Sequence, residues 1–148
     1  MRIAMTKAAE ARQTLSADLD EALDRAGLMV FVRELAGRLR EFYTGDSIVL
    51  SNQLSRPERR ELVAHALGHH LLHAGNQWHQ QGRTYSRANY QERQADVFAA
   101  FFLISESELA SALASTEAPH ELAEEFEVTE RFLRFRLELH AAQLEAVR

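Results

Sequence analysis

Cysteine is absent from this chain of 148 residues. That excludes disulfides and any thiolate metal site, and it fits a reducing compartment. A metal would have to be held by histidine and carboxylate alone. Long apolar runs are missing as well: none approaches the roughly 20 residues needed to span a bilayer. The N-terminus, with Arg2, Lys7 and Glu10 among small residues, lacks the apolar core of a secretory signal, so the sequence reads as cytoplasmic. Positive charge is not in surplus. Seventeen Lys and Arg against twenty-two Asp and Glu give a formal charge of −5, which argues against nucleic acid as the main partner and leaves DNA binding an unfavoured reading. Only two prolines and six glycines point to a fold rich in regular elements. The length suits one domain, 1–148. A domain of that size buries roughly 68–70% of its unfolded surface, enough for a core without staples.

The residues that are present divide the chain into helices around a small sheet. Ala8, Ala11, Leu15, Leu19, Ala22, Leu23 and Ala26 recur at steps of three and four, the mark of an apolar helical stripe. Gly27 closes it, and Ser16 can cap a second helix from Ala17. Leu28–Val32 is a short apolar run rich in β-formers, read as a strand buried on both faces or nearly so. Leu39–Tyr43 and Ser47–Ser51 read as two more strands, with Thr44-Gly45-Asp46 supplying turn chemistry. Ser55 with Glu58 forms a capping box for a helix running through His73 and ending at Gly75, with Pro57 tolerated in its first turn. Residues 76–88 are polar and read as a long loop, with Asn89 capping the next helix. That helix is apolar almost all round after Asp96. Ser105 with Glu108 opens a short helix, Pro119 another ending near Phe126, and Thr129 the last. The expected fold is α+β: a sheet of about three strands against helices, with a helical part over about 105–148.

Within the helix from Ser55, His65 and His69 stand four residues apart. They therefore lie on one face, one turn above the other, and their rings can converge on one ion. This is the ligand pair of a His-Glu-x-x-His metallopeptidase helix, except that the glutamate position is Ala66. Catalytic zinc sites use three protein ligands and leave one position open. Glu92 on the following buried helix supplies the third. Asp96, one turn on, can accept the free N–H of a ligand ring, His65 by expectation, and fix its tautomer. His73 is one further turn along, but three such residues drift around a straight helix, so it reads as structural. His70 and His79 read as exposed. Tyr85 and Tyr90 are candidate donors to an oxyanion.

The stretch from Val63 to His73, Val-Ala-His-Ala-Leu-Gly-His-His-Leu-Leu-His, resembles the active helix of the ImmA/IrrE family of zinc metallopeptidases. Glu92, Ala95, Asp96, Phe98 and Ala99 resemble its second motif, and the hairpin and Leu122–Leu137 also match, so the likeness covers roughly Leu28–Leu139. The resemblance implies Zn2+ held by His65, His69 and Glu92, and an intracellular peptidase of bacteria, phages or mobile elements. Such enzymes cut a repressor of the helix-turn-helix type and switch genes on under stress. His and carboxylate ligands also suit manganese or iron.

Ala66 departs from that pattern at the general base. Alanine removes no ligand, so metal binding should survive, whereas loss of an acid–base group typically costs about 10²–10⁴-fold in rate. Two explanations fit. Ala66 is an inactivating substitution, or the chain is a natural pseudopeptidase that sequesters its target as an antirepressor. The otherwise intact site favours the first. An extended substrate would add to an edge strand beside the metal. Leu39–Tyr43 is the candidate, with Phe42 and Tyr43 near the cleft. The C-terminal helices resemble a helix-turn-helix, but Glu121, Glu124, Glu125, Glu127 and Glu130 outnumber Arg131, Arg134 and Arg136. They are expected to cap the core rather than read DNA.

Overall fold

The computed structural model describes residues 1–73 and 85–147, with the backbone alone for 85–88. Its elements are α1 (Arg2–Thr14), α2 (Leu19–Ala26), β1 (Met29–Arg33), β2 (Glu41–Thr44), β3 (Ser47–Ser51), α3 (Arg56–Leu72), α4 (Tyr85–Leu103), α5 (Glu106–Leu113), α6 (Pro119–Glu125) and α7 (Glu130–Ala146). This is the expected α+β fold, with a small mixed sheet beside a helical majority.

The two helices with the longest apolar faces pack on each other. The Ser55–Glu58 capping box starts α3: Glu58 N–H donates to Ser55 Oγ at 3.3 Å, and Ser55 N–H donates to Glu58 Oε1 at 3.1 Å. In α4, Phe98 and Phe102 are wholly buried and stack with ring centroids 5.7 Å apart. Gly68 of α3 is what lets α4 come close. A Cβ built there would lie 3.0–3.1 Å from Phe98 Cδ1, Cβ and Cγ. Gly68→Ala would gain about 1 kcal/mol of helix propensity. Overpacking against a core ring costs about 1–3 kcal/mol, and Phe98 Cβ, fixed to its backbone, cannot swing away. Packing wins, so the variant's denaturation midpoint should fall. An unchanged or higher midpoint would mean that α4 does not bear on α3 at this point.

The sheet order is β1-β3-β2, with β1 parallel and β2 antiparallel to β3. The expectation of a doubly buried first strand is overturned. β1 is an edge strand, its Met29 and Val30 are exposed, and the central place goes to β3, whose Ile48 and Leu50 are buried. An apolar run reports burial, but not which strand has neighbours on both sides. β2 begins at Glu41 rather than Leu39. Its Thr44 pairs with Ser47 across Gly45, whose φ of +58° suits a residue without a Cβ.

Other boundaries moved for local reasons. α2 is capped by Asp18, which accepts from Glu21 N–H at 3.0 Å, not by Ser16. Ser16 Oγ instead accepts from Asp18 N–H. α4 starts at Tyr85, so residues 85–88 are helical rather than loop, and Asn89 is inside the helix. The rest of the expected loop, 76–84, with Gly75 and His79, lies outside the described residues. The Ser105–Glu108 capping box and the Thr129 cap are formed as read.

α7 is tied to the body by buried charge. Arg136, fully buried, donates from Nε to Ile104 O at 2.8 Å and from Nη2 to Glu106 Oε2 at 2.8 Å, with its guanidinium 3.8 Å from the Phe101 ring centre. At the N-cap of α7, Glu61 of α3 accepts from Thr129 N–H at 2.6 Å and from Thr129 Oγ at 3.1 Å.

Candidate metal centre

The α3–α4 contact brings together side chains separated by nearly thirty residues of chain. His65 Nε2 lies 3.1 Å from Glu92 Oε2, and His69 Nε2 lies 2.7 Å from Glu92 Oε1. One ligating atom from each of His65, His69 and Glu92 falls within 4.8 Å of the others, the one such group among the described residues. His65 and His69 meet edge to face, with centroids 4.7 Å apart. Helical spacing aligns the two rings, and the close approach at Gly68 carries the carboxylate to them.

Asp96 Oδ1 lies 2.8 Å from His65 Nδ1 and accepts a hydrogen bond from its N–H. That leaves His65 Nε2 turned to Glu92. Burial alone would push the His65 imidazole down. Its hydrogen bonds to Asp96 and Glu92, with the charge of both, prevail and raise its pKa to about 9. Hydrogen bonds from His65 and then His69 hold the Glu92 carboxyl well below the usual carboxylate range. Burial pushes the Glu61 carboxyl up, although Thr129 donates to it.

A cavity of about 740 Å³ opens beside the cluster. His65, Glu92 and Asp96 line it, with apolar walls from Leu62, Phe132 and Phe135. The Arg93 guanidinium lies 5.0 Å from the Phe135 ring centre. Phe42 and Tyr43 do not line this cavity. Phe42 is exposed on edge strand β2, and Tyr43 Oη is 3.2 Å from His70 Nδ1. His70 is therefore half-buried and partnered rather than exposed. Ala66 shares its helix face with His70 and is only 8% exposed. Neither Ala66 nor His70 lines the cavity, which is walled by α7 and by Glu41 at the start of β2.

His73 reads from the sequence as structural. The structure places its Nδ1 2.9 Å from His69 Nδ1 and its Nε2 2.9 Å from Gln94 Oε1. The four-residue spacing of His65, His69 and His73 was the signal available; nothing local pointed to Gln94. Tyr90 is largely exposed, and its hydroxyl accepts from Gln94 Nε2 at 3.2 Å. The side chain of Tyr85 lies outside the described residues. Leu62, Phe132 and Phe135 went unrecognised as cavity walls because each reads as ordinary helix packing.

Comparison with known proteins places this geometry in a family context. The model of the family Peptidase_M78, an IrrE N-terminal-like domain, matches residues 23–138. The chain is also similar to a solved structure of a Mycobacterium tuberculosis transcriptional regulator, with TM-score 0.66 at 20% identity over 92% of this chain. It spans 45% of that regulator's length. At this identity the likeness is one of fold. No curated protein matches the sequence.

Proposed function

The chain belongs to the IrrE N-terminal-like peptidase family, and from that premise we propose that it is a zinc-binding peptidase scaffold directed at a repressor-type regulatory protein, inactive or nearly so with Ala66. The observation that carries the metal assignment is the convergence of His65, His69 and Glu92 within 4.8 Å. The donor set fits a divalent ion: two imidazoles turned toward one carboxylate that stays ionised, with Asp96 holding the proton side of His65. When bound, zinc would supply Lewis-acid polarisation of a peptide carbonyl and of water.

The chain's own residues do the rest. Glu92 and Asp96 orient His65 from either side of its ring. Phe132, Phe135 and Leu62 offer apolar walls for a substrate side chain next to the ligands. β2, at one edge of the sheet among the described residues, offers backbone groups to an extended peptide, with Phe42 and Tyr43 as its contacts. The Ala66 methyl can neither take a proton nor return one.

Family membership and the neighbour's description as a transcriptional regulator support a regulatory setting. The absent base favours one rival, a pseudopeptidase that binds and sequesters its target. DNA reading through α7 has little support, since Arg136 is buried and Arg134 is paired with Glu130 at 2.6 Å. No described helix is long and apolar enough to cross a membrane.

Elemental analysis of the purified protein and of His65→Ala tests the assignment. The unaltered chain should carry about one zinc per molecule, and the variant close to none. A metal-free protein after zinc-replete expression, or full retention by His65→Ala, would refute it. A different metal in the same stoichiometry would correct the ion and keep the site.

A further inference from the structure

We propose that Glu61 is a positioning residue for substrate choice: it seats the first turn of α7 on α3 and so holds Phe132 as a fixed wall of the cavity, which takes a bulky apolar side chain of the substrate beside the metal cluster. The inference deepens the peptidase-scaffold reading above and rests on it.

Glu61 stands one turn before His65 on α3 and lines the same cavity. Both of its oxygens grip one residue. Oε2 accepts from Thr129 N–H at 2.6 Å, and Oε1 accepts from Thr129 Oγ at 3.1 Å. Thr129 Oγ in turn accepts from Phe132 N–H at 3.1 Å. A hydroxyl has one proton and two lone pairs, so Thr129 serves both neighbours at once. The amides that open a helix have no partner within it, and α3 supplies one for α7. The turn into α7 is held by α3 as well: Arg60 Nε donates to Glu127 O at 3.1 Å, and Arg56 Nη2 lies 3.3 Å from Glu127 Oε2. Farther along, Leu133, Arg136 and Leu139 of α7 are buried. Phe132 and Phe135 are only half-buried and line the cavity. A metal ligand and the seat of the wall thus share one helix, a single turn apart.

The chemistry of the cavity selects its occupant. Most of its charged groups are already engaged. Arg40 pairs with Glu58 at 2.8 Å, Glu92 and Asp96 meet His65, and the Arg93 guanidinium lies against the Phe135 ring. Glu41 and Arg131 are exposed and opposite in sign. A charged substrate group would be desolvated there for little return. An apolar one gains by burial against Leu62, Phe132 and Phe135.

Succinyl hydroxamates built on glycine, leucine, phenylalanine, lysine or aspartate, titrated calorimetrically into zinc-loaded protein, test this. The leucine and phenylalanine probes should bind about 10–100-fold more tightly than the glycine probe, and the lysine and aspartate probes no better than it. Glu61→Gln, which turns a donor toward the Thr129 proton, and Thr129→Val should lose most of that preference. Their zinc content and their affinity for the glycine probe should stay the same. Thr129→Ser keeps the hydroxyl and should keep the preference. A change that merely loosened the fold would lower zinc content or all affinities together. In metal-free protein, amide exchange at Phe132 should be slow, faster in Thr129→Val and unchanged in Thr129→Ser. No gain from leucine or phenylalanine, a gain from lysine or aspartate, fast Phe132 exchange in the unaltered chain, or a preference that survives both Glu61→Gln and Thr129→Val overturns the proposal alone. If no form holds zinc, the ligand assignment above fails, and the proposal with it.

Discussion

Ala66→Glu is expected to raise peptide-bond hydrolysis by the zinc-loaded protein about 10²–10⁴-fold over the present chain. The new carboxylate would stand on the face of α3 shared with His70, at a position only 8% exposed. Burial should push its pKa upward, toward the range where a base both accepts and returns a proton near neutral pH. Ala66→Gln has nearly the same shape and no basic group, so it should stay at the level of the present chain. Cleavage of a degenerate peptide library, followed by mass spectrometry, reads the difference. Zinc content must be equal in all three proteins for the comparison to hold. Should Ala66→Glu bind zinc and still cleave nothing, the missing base is not what silences the chain, and the sequestering role becomes the better account.

The second large effect concerns the metal-free protein and pH. His65 titrates at about 9 when folded, against 6.5 unfolded. A raised folded pKa contributes stability that is fully present below pH 6.5 and is lost as pH rises through 9. Glu92 has the opposite sign. Its depressed pKa contributes stability above about pH 4.5 that is lost on acidification. The His65–Glu92 attraction enters both shifts and counts once. The cluster therefore stabilises the apoprotein most between about pH 4.5 and 6.5, and the His65 part alone is worth roughly 3 kcal/mol at most. Thermal unfolding of metal-free protein should show a midpoint that falls between pH 6.5 and 9, and much less so in His65→Phe. Zinc must displace the His65 proton, so its binding near pH 7.5 should release about one proton per ion. A flat midpoint across that window in the unaltered apoprotein would show that His65 is not held between Glu92 and Asp96.

Much of the candidate centre was readable along the chain because its parts are local. His65 and His69, and separately Glu92 and Asp96, are pairs at four-residue spacing, which a helix places on one face whatever surrounds it. The capping boxes at Ser55 and Ser105 are equally local, and each formed as read. Boundaries that depended on competition between neighbours were read less well: Asp18 displaced Ser16 as a cap, and α4 took in residues 85–88.

The sequence by itself determined the α+β class, the helical frame, and the two short motifs whose chemistry points to a metal with no base beside it. Tertiary structure alone decided which strand is central, that Arg136 is buried at the end of α4 rather than offered to a partner, and that Tyr43 meets His70. It also decided that His73 reaches Gln94. Each of these depends on how separate elements pack, as Gly68 and Phe98 set the approach of α3 and α4, and no periodicity along one helix encodes the separation of two.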